Sequence, residues 1–203
     1  MKEQIKKALE TYDKYAKIYA DYTYSKLMQF QLNKFISMLP KKGKILDVGS
    51  GSGRDAQYFH DYGLDVTSID FSENMLKEAK KRVKGVKFIK MDMCNLEFEN
   101  NSFDGIWVMA SLSDIERKES LNILQGISKI LKKNGVVYIA VKEGTTEEVV
   151  SKPQYNNSPR YYTFYTQAEL EDKLKKSGFS VLNAQTSEDQ GTKWVEIFAK
   201  KSS

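Results

Sequence analysis

The segment I-L-D-V-G-S-G-S-G-R-D, residues 45–55, joins an apolar run to three closely spaced glycines and a polar stretch. The apolar run predicts a buried strand, the glycines predict a turn that lets the backbone approach a ligand, and a helix should follow. The glycine spacing is G-x-G-x-G, and Asp47 stands two residues before the first glycine. A dinucleotide-binding turn has its third glycine where Arg54 lies, and a carboxylate beside it would repel a pyrophosphate. The segment therefore favours a ligand that carries positive charge instead of phosphate.

Around this segment, short apolar runs alternate with helical periods, a pattern typical of a parallel sheet with helices on both faces. Strands are predicted at residues 44–48, 65–69, 86–90, 104–109 and 135–141. Helices are predicted at 54–62, 73–83, 117–132 and 167–177, the third of them ended by Asn134-Gly135. Two further strands, 179–186 and 192–199, flank a loop at 187–191 and should form an antiparallel hairpin.

The 203 residues, 40% of them hydrophobic, have the size of one domain, with a helical N-terminal extension at 1–40 and an α/β core at 41–203. Four tyrosines of the extension, at spacings of three and four, share one helix face: Tyr12, Tyr15, Tyr19 and Tyr22. They either pack on the core or form a flap over a ligand. Segment 143–166 has no clear periodicity, and we expect a functional loop there.

The composition argues against several classes of protein. One cysteine, Cys94, and one histidine, His60, leave no set of ligands for a zinc site, so we expect no metal. The apolar stretches are too short for a membrane span, and no secretory signal begins the chain, which predicts a cytoplasmic protein. The net charge is +5. Its densest cationic group, at 77–84, is either a solvated helix face or a phosphate-binding patch.

Two more acids follow predicted strands and should lie beside the glycine turn. Asp70 ends the second strand, where its carboxylate can accept both hydroxyls of a ribose or cap the next helix. Asp92 ends the third strand, where it either accepts from an adenine amino group or is a simple turn residue. Open α/β sheets bind ligands at the carboxyl ends of their strands, so the agreement of three acids predicts the ligand site there.

With these residues, the chain over residues 44–200 resembles the class I S-adenosylmethionine-dependent methyltransferases. The similar segments are ILDVGSGSGRD, VTSIDFS, KMDMCNL, FDGIWVMASLSDI and LKKNGVVYIAVKEG, in which Asn-Gly replaces the usual Pro-Gly. The resemblance implies a Rossmann-like, doubly wound sheet of seven strands with the last one antiparallel. It also implies an S-adenosylmethionine cofactor, whose ammonium and sulfonium groups suit an acid near the turn.

The resemblance assigns roles to individual residues. It implies that Gly49, Gly51 and Gly53 shape the turn at the methionine side of the cofactor and that Asp47 lies near the amino acid moiety. Asp70 would bind the ribose, Asp92 would face the adenine, and Phe71 and Met93 would sandwich the base. Further expected cofactor contacts are Tyr15, Tyr19, Ser50, Arg54, Met75 and Ala110.

The acceptor side is less defined. The loop Ala110-Ser111-Leu112-Ser113-Asp114 lacks the Asn/Asp-Pro-Pro-Tyr/Phe signature of enzymes that methylate exocyclic amines or glutamine amides. Asp114 is a candidate general base, or else the cap of the next helix. Arg160, Tyr161, Tyr162 and Tyr165 are predicted to line the acceptor pocket, with Arg160 and Tyr162 as candidate catalytic residues, unless they pack against the sheet edge. Trp107, Ser111 and Lys142 are further candidates for substrate binding.

Three functions fit these residues. The first is methyl transfer to a small molecule in a pocket closed by the tyrosine-rich N-terminus and segment 143–166. The second is tRNA methylation, because Arg160-Tyr161-Tyr162 and Gly191-Thr192-Lys193-Trp194 look similar to the C-terminal part of wobble-uridine methyltransferases. The third is a protein that binds S-adenosylmethionine without turnover.

Overall fold

The computed structural model describes residues 3–151, 153–189 and 191–202, so residues 152 and 190, inside two predicted loops, lie outside the described residues. The helices are α1 Glu3–Lys14, α2 Ala16–Thr23, α3 Gln29–Ser37, α4 Arg54–Asp61, α5 Glu73–Arg82, α6 Ser120–Ile130 and α7 Gln167–Lys176. The strands are β1 Lys44–Val48, β2 Asp65–Asp70, β3 Lys87–Lys90, β4 Phe103–Met109, β5 Leu131–Lys142, β6 Glu147–Ser151, β7 Pro159–Thr163, β8 Phe179–Asp189 and β9 Thr192–Lys201.

Seven strands form one sheet in the order β3-β2-β1-β4-β5-β9-β8. The first five are parallel, and β9 runs antiparallel to both β5 and β8. This arrangement confirms the predicted Rossmann-like sheet and its antiparallel last strand. Strand order reverses between β1 and β4, and this is where open α/β sheets bind ligands.

Two hydrophobic clusters cover the opposite faces of the sheet. Successive residues of β1 alternate between them, with Ile45 in one cluster and Leu46 and Val48 in the other. All three side chains are fully buried, and burial of an aliphatic side chain of this size stabilises the fold by about 1.5–3 kcal/mol. The register is therefore fixed, and the carboxyl ends of β1, β2 and β4 lie side by side.

Three local predictions were wrong. Helix α6 ends at Ile130, because Leu131 already pairs with Phe103 and Asn134, at a φ of 65°, lies in a bulge of β5 instead of ending a helix. Segment 143–166 contains the antiparallel pair β6–β7 instead of a loop without secondary structure. The predicted loop at 187–191 is mostly strand, since residues 187–189 of β8 pair with residues 192–194 of β9.

The N-terminal extension consists of α1, α2 and α3, with α1 and α2 attached to α5. The Asp13 carboxylate accepts hydrogen bonds from Ser72 Oγ at 2.7 Å and from the Asn74 backbone at 3.0 Å. An ion pair of 2.6 Å joins Asp21 to Arg82. These contacts tie α1 and α2 to the sheet edge at which β2 ends. Across the described residues, every helix is too short or too polar to cross a membrane.

Candidate functional site

A cavity of about 1290 Å³ lies where the parallel strands end, below the N-terminal helices. The predicted site residues that line it are Tyr19, Asp47, Gly49, Ser50, Gly51, Arg54, Asp70, Phe71, Met75, Asp92, Met93, Ala110, Ser111, Asp114, Lys142, Arg160 and Tyr162. The predicted residues that lie outside its wall are Tyr15, Gly53, Trp107, Tyr161 and Tyr165. The structure thus brings most of the predicted residues together.

The glycine turn after β1 forms one wall of the cavity. Gly49 has a φ of 72°, and a Cβ added to it would lie 2.2 Å from the Cβ of Ser111, so the position requires glycine. Ser111 is fixed there because its hydroxyl donates to the Val48 carbonyl at 2.6 Å. Gly53 has another role than the predicted cofactor contact, because its side faces Phe88 and Val83 in the core. Gly53 thus permits close packing behind the turn.

Asp70 holds this turn in shape from the end of β2. One carboxylate oxygen accepts from the Gly51 backbone and the other from the Ser72 backbone, both at 2.8 Å. Burial raises the pKa of Asp70, and the two backbone N–H groups act against that rise. The N-cap of α5 is Ser72, whose hydroxyl accepts from the Met75 backbone, so the alternative role of Asp70 as the cap is wrong. Each Asp70 oxygen retains a lone pair for a ligand hydroxyl.

Asp47 is 2% exposed and lines the cavity, and its Oδ2 has no hydrogen-bond partner among the described residues. Burial raises its pKa well above the ordinary value, and the nearby Asp55 and Asp70 raise it further while Arg54 opposes them. Buried polar atoms are nearly always paired. A cationic ligand group would supply the missing partner. The sequence analysis predicted such a group beside Asp47.

Arg54, Asp55 and Trp107 form a chain of contacts behind Asp47. Arg54 donates to both carboxylate oxygens of Asp55, at 2.7 and 2.9 Å, and Trp107 Nε1 donates to Asp55 at 3.0 Å. Trp107 is fully buried and stacks on Tyr138 with ring centroids 4.0 Å apart. The prediction that Trp107 binds substrate is therefore wrong, because the inward side of β4 belongs to the core. Asp55 was missed, although an acid next to Arg54 was the available signal.

Four more of the predicted residues, Phe71, Met75, Asp92 and Met93, line the cavity. Phe71 is 43% exposed. Asp92 Oδ1 accepts from the Cys94 backbone at 2.9 Å, so the carboxylate also stabilises its own turn. The two roles left open for Asp92 are compatible, because Oδ1 accepts the turn hydrogen bond and Oδ2 can accept from a ligand.

Asp114 lines the cavity from a short 3₁₀ helix, Ser111–Asp114, that follows Ala110 with a φ of 63°. Its carboxylate accepts from the Tyr12 hydroxyl at 2.8 Å. Burial raises the pKa of Asp114 well above its ordinary value, while the charge of Lys142 acts in the opposite direction. The alternative role as a helix cap is wrong, because α6 begins at Ser120 after Glu119.

Strand β7 contributes alternate residues to the cavity, as a strand must. Arg160 and Tyr162 line it, whereas Tyr161 between them points to α1, packs with Ala8 and hydrogen-bonds Glu147. Tyr165 is fully buried in the core below the guanidinium of Arg117, at 5.2 Å from the ring centroid. The predicted pocket roles of Tyr161 and Tyr165 are wrong. The alternation of β7 turns Tyr161 away from the cavity, and Tyr165, beyond the end of that strand, packs in the core.

The tyrosine stripe of the N-terminus is interrupted by a break between α1 and α2 at Tyr15. Tyr12, Tyr19 and Tyr22 line the cavity. Tyr15 instead turns to Ser158, whose hydroxyl lies 3.4 Å from the tyrosine oxygen, so its predicted cofactor contact is wrong. Tyr12 and Tyr155, which also lines the cavity, were missed. The N-terminal helices therefore contribute three tyrosine side chains to the cavity wall.

Comparison with known proteins finds matches for the central segment. Residues 46–139 match a family model described as a methyltransferase domain. The demethylmenaquinone methyltransferase of Renibacterium salmoninarum is 34% identical over 97 residues, which are 48% of this chain and 40% of that protein. The chain thus spans less than half the length of this curated relative.

Solved structures match over most of the chain. An S-adenosylmethionine-dependent methyltransferase from Methanosarcina mazei has a TM-score of 0.76 at 20% identity, covering 83% of this chain and 97% of the other. The 1,6-didemethyltoxoflavin-N1-methyltransferase of Burkholderia thailandensis, with bound 1,6-didemethyltoxoflavin and S-adenosylhomocysteine, has a TM-score of 0.68 at 21% identity, covering 94% and 90%. At these identities the match concerns the fold.

Proposed function

Since the chain has the class I methyltransferase fold and carries a methyltransferase domain at residues 46–139, we propose that it transfers the methyl group of S-adenosylmethionine to a small-molecule acceptor. The observation that carries this proposal is Asp47, a buried carboxylate that lines the cavity with one oxygen unpaired. A ligand with an ammonium group satisfies that oxygen, whereas a dinucleotide pyrophosphate would be repelled.

The residues of the cofactor half fit S-adenosylmethionine from end to end. Asp47 would hold the ammonium group, and the backbone of Gly49 and Gly51 would lie against the methionine portion. Asp70, fixed by two backbone N–H groups, would accept the ribose hydroxyls. Phe71 and Met93 would enclose the adenine, and Asp92 would accept from its amino group. When bound, the cofactor supplies an electrophilic methyl group on a sulfonium.

The residues of the acceptor half would position the nucleophile, exclude water and take up its proton. Holding the reactants in line and excluding water provides much of the rate for such a displacement. Asp114 is the candidate base, because its burial raises its pKa and so makes the carboxylate more basic. Tyr12 fixes the orientation of the carboxylate by its hydrogen bond, and Lys142 and Tyr162 complete this wall.

A small acceptor agrees with the enclosure of this half. Arg160, one basis for the tRNA alternative, is only 5% exposed and lies inside the cavity instead of on a nucleic-acid-binding surface. Three cations of helix α5 are paired locally, Lys77 with Glu73 and both Lys81 and Arg82 with Glu78. The first observation favours a small acceptor over tRNA, and the second favours a solvated helix face over a phosphate-binding patch.

Calorimetry and turnover assays together test the proposal. S-adenosylmethionine and S-adenosylhomocysteine should bind, and NAD should not; tight NAD binding with no response to either adenosyl ligand would sink the proposal. Formation of S-adenosylhomocysteine should then be followed with a metabolite panel and with bulk tRNA. Activity with tRNA whose affinity falls steeply with salt would replace the small-molecule acceptor, and binding without any turnover would indicate a non-catalytic protein.

A further inference from the structure

Arg160 differs from the three other arginines of the sequence, Arg54, Arg82 and Arg117. Each of those three forms an ion pair with a carboxylate: Arg54 with Asp55, Arg82 with Glu78 and Asp21, and Arg117 with Glu169. Within the described part of the chain, Arg160 forms no ion pair, and its Nε has no hydrogen-bond partner. Arg160 is nevertheless buried, with only 5% of its surface exposed.

Four tyrosine rings surround the guanidinium of Arg160. Its Cζ lies 3.7 Å from the ring centroid of Tyr12, 5.2 Å from that of Tyr162, 5.4 Å from that of Tyr155 and 5.7 Å from that of Tyr19. Ring faces stabilise a guanidinium by contact with its flat face and leave its N–H groups, which lie in the plane, to other partners. One such partner is the Tyr162 hydroxyl, which accepts from Arg160.

A buried guanidinium remains protonated and is costly to desolvate unless an anion pairs with it. Aromatic faces return only part of that cost. Asp114, on the same cavity wall, accepts from Tyr12 and lies within the field of Lys142 instead of pairing with Arg160. Among the described residues no carboxylate pairs with this guanidinium, so the protein holds a preformed cationic donor inside a cavity without its natural counterpart, an oxyanion.

We infer that the methyl acceptor carries an anionic group, a carboxylate or a phosphate, which binds the guanidinium of Arg160 at its unpaired Nε–H. This inference rests on the proposed function and names the substrate class of that site. A consequence for specificity follows. Because the guanidinium already occupies the space between the four rings, a cationic acceptor would meet like charge there and should be rejected.

The test uses small aromatic probes on the whole protein saturated with S-adenosylhomocysteine. The probes are 4-aminobenzoate, its neutral analogue 4-aminobenzamide, and phenyl phosphate. In titrations followed by ligand-observed NMR, at least one of the two anions should bind tenfold or more tightly than the amide. Which anion binds better distinguishes a carboxylate acceptor from a phosphate acceptor. This comparison needs no variant, so it remains decisive even if a substitution at Arg160 impairs folding.

Arg160→Ala and Arg160→Lys extend the test, with Lys118→Ala as the matched control. Lys118 also lines the cavity, but its side chain is 68% exposed. Arg160→Ala should weaken anion binding at least tenfold, Arg160→Lys should weaken it less, and Lys118→Ala should leave it within twofold. Equal binding of acid and amide by the unmodified protein, or unchanged anion binding by Arg160→Ala, would overturn the inference.

A second measurement distinguishes an acceptor site from a contact with the carboxylate of the cofactor. Arg160→Ala should bind S-adenosylhomocysteine and 5′-methylthioadenosine, which lacks the amino acid portion, as the unmodified protein does. A selective loss of S-adenosylhomocysteine binding would assign Arg160 to the cofactor and overturn the inference while supporting the proposed function. Failure of the unmodified protein to bind any adenosyl ligand would instead remove the proposed function.

Discussion

Asp47 and Arg160 line the same cavity, and both are at least 95% buried, yet each has one polar atom without a hydrogen-bond partner among the described residues. Asp47 has an unpaired carboxylate oxygen at the end of β1, and Arg160 has an unpaired Nε on β7. The first suits the ammonium group of a cofactor, and the second suits an oxyanion. We therefore expect one part of the cavity to bind a cationic group and the other to bind an anionic group.

The two halves also differ in how the chain builds them. The cofactor half comes from the turns after β1, β2, β3 and β4, which follow one another along the chain. The acceptor half depends on contacts between distant segments, such as the hydrogen bond from Tyr12 to Asp114, 102 residues apart, and the packing of Arg160 on Tyr12. We expect substitutions in the first half to affect cofactor binding and substitutions in the second to affect turnover.

The largest effect is expected for Gly49→Ala. The new Cβ would collide with Ser111 and would require a residue other than glycine at a φ of 72°, which together cost about 2–5 kcal/mol. Denaturant unfolding should show this loss, and calorimetry should show cofactor binding abolished. Gly63→Ala is the matched control, since its φ is 80° with nothing within 4 Å. It should lose about 1–2 kcal/mol of stability and retain cofactor affinity; equal behaviour of the two variants would refute the role of the turn.

Asp114→Asn should come next, and should reduce turnover of the acceptor found in the panel by about 10²-fold or more. Cofactor affinity should stay within twofold. Because burial raises the pKa of Asp114 and the base must be ionised, turnover of the unmodified protein should rise as pH rises through that pKa. The variant should lack this limb of the pH profile. A loss of cofactor affinity equal to the loss of turnover would mean that the two halves are not separate.

Asp47→Asn should weaken S-adenosylmethionine binding by about 1.5–3 kcal/mol, the range for a hydrogen bond to a charged group. Without ligand it should instead raise Tm by a few degrees at neutral pH. The pKa of Asp47 is raised in the folded state, so its ionisation removes stability as pH rises through that pKa, and asparagine avoids the loss. In thermal unfolding from pH 5 to 8, the difference in Tm between the variant and the unmodified protein should increase with pH. The exposed Asp61→Asn should show neither change.

Asp13→Ala should have the smallest effect, about 1–2 kcal/mol, because it removes the hydrogen bonds that attach α1 to Ser72 and Asn74. Hydrogen exchange should then accelerate in α1 and α2 and stay unchanged in β1 and β4. Cofactor dissociation should also become faster. Uniform acceleration across the sheet would show that the N-terminal helices and the core unfold as one unit.

The residues that meet at the strand ends could be predicted from the sequence because local patterns specify them. The glycine spacing and an acid at each strand end fix the turn, and the period of the apolar residues fixes the sheet. Gly53 and Trp107 were assigned incorrectly for one reason. A sequence pattern marks the segment but leaves open which side of it faces the ligand, and both residues turn towards the core.

The acceptor half could be predicted only in part because tertiary contacts specify it. Nothing near Tyr12 in the sequence indicates that its hydroxyl meets Asp114, or that Arg160 lies against its ring. Segment 143–166 shows no simple alternation because β6 is mostly exposed while β7 is mostly buried. Without that strand pair, the separation of Arg160 and Tyr162 from Tyr161 could not be derived.

Because Trp107 is stacked on Tyr138 in the core, its fluorescence should differ from that of the second tryptophan. The sequence has two tryptophans, Trp107, sealed in the core, and Trp194, on the wall of the cavity. Soluble quenchers should reduce the fluorescence of Trp194 and leave the fluorescence of the buried Trp107 unchanged. Emission that changes when a ligand enters therefore reports on the β9 wall, and Trp194→Phe leaves a probe of core integrity. Binding and unfolding can be followed in the same sample without any attached dye.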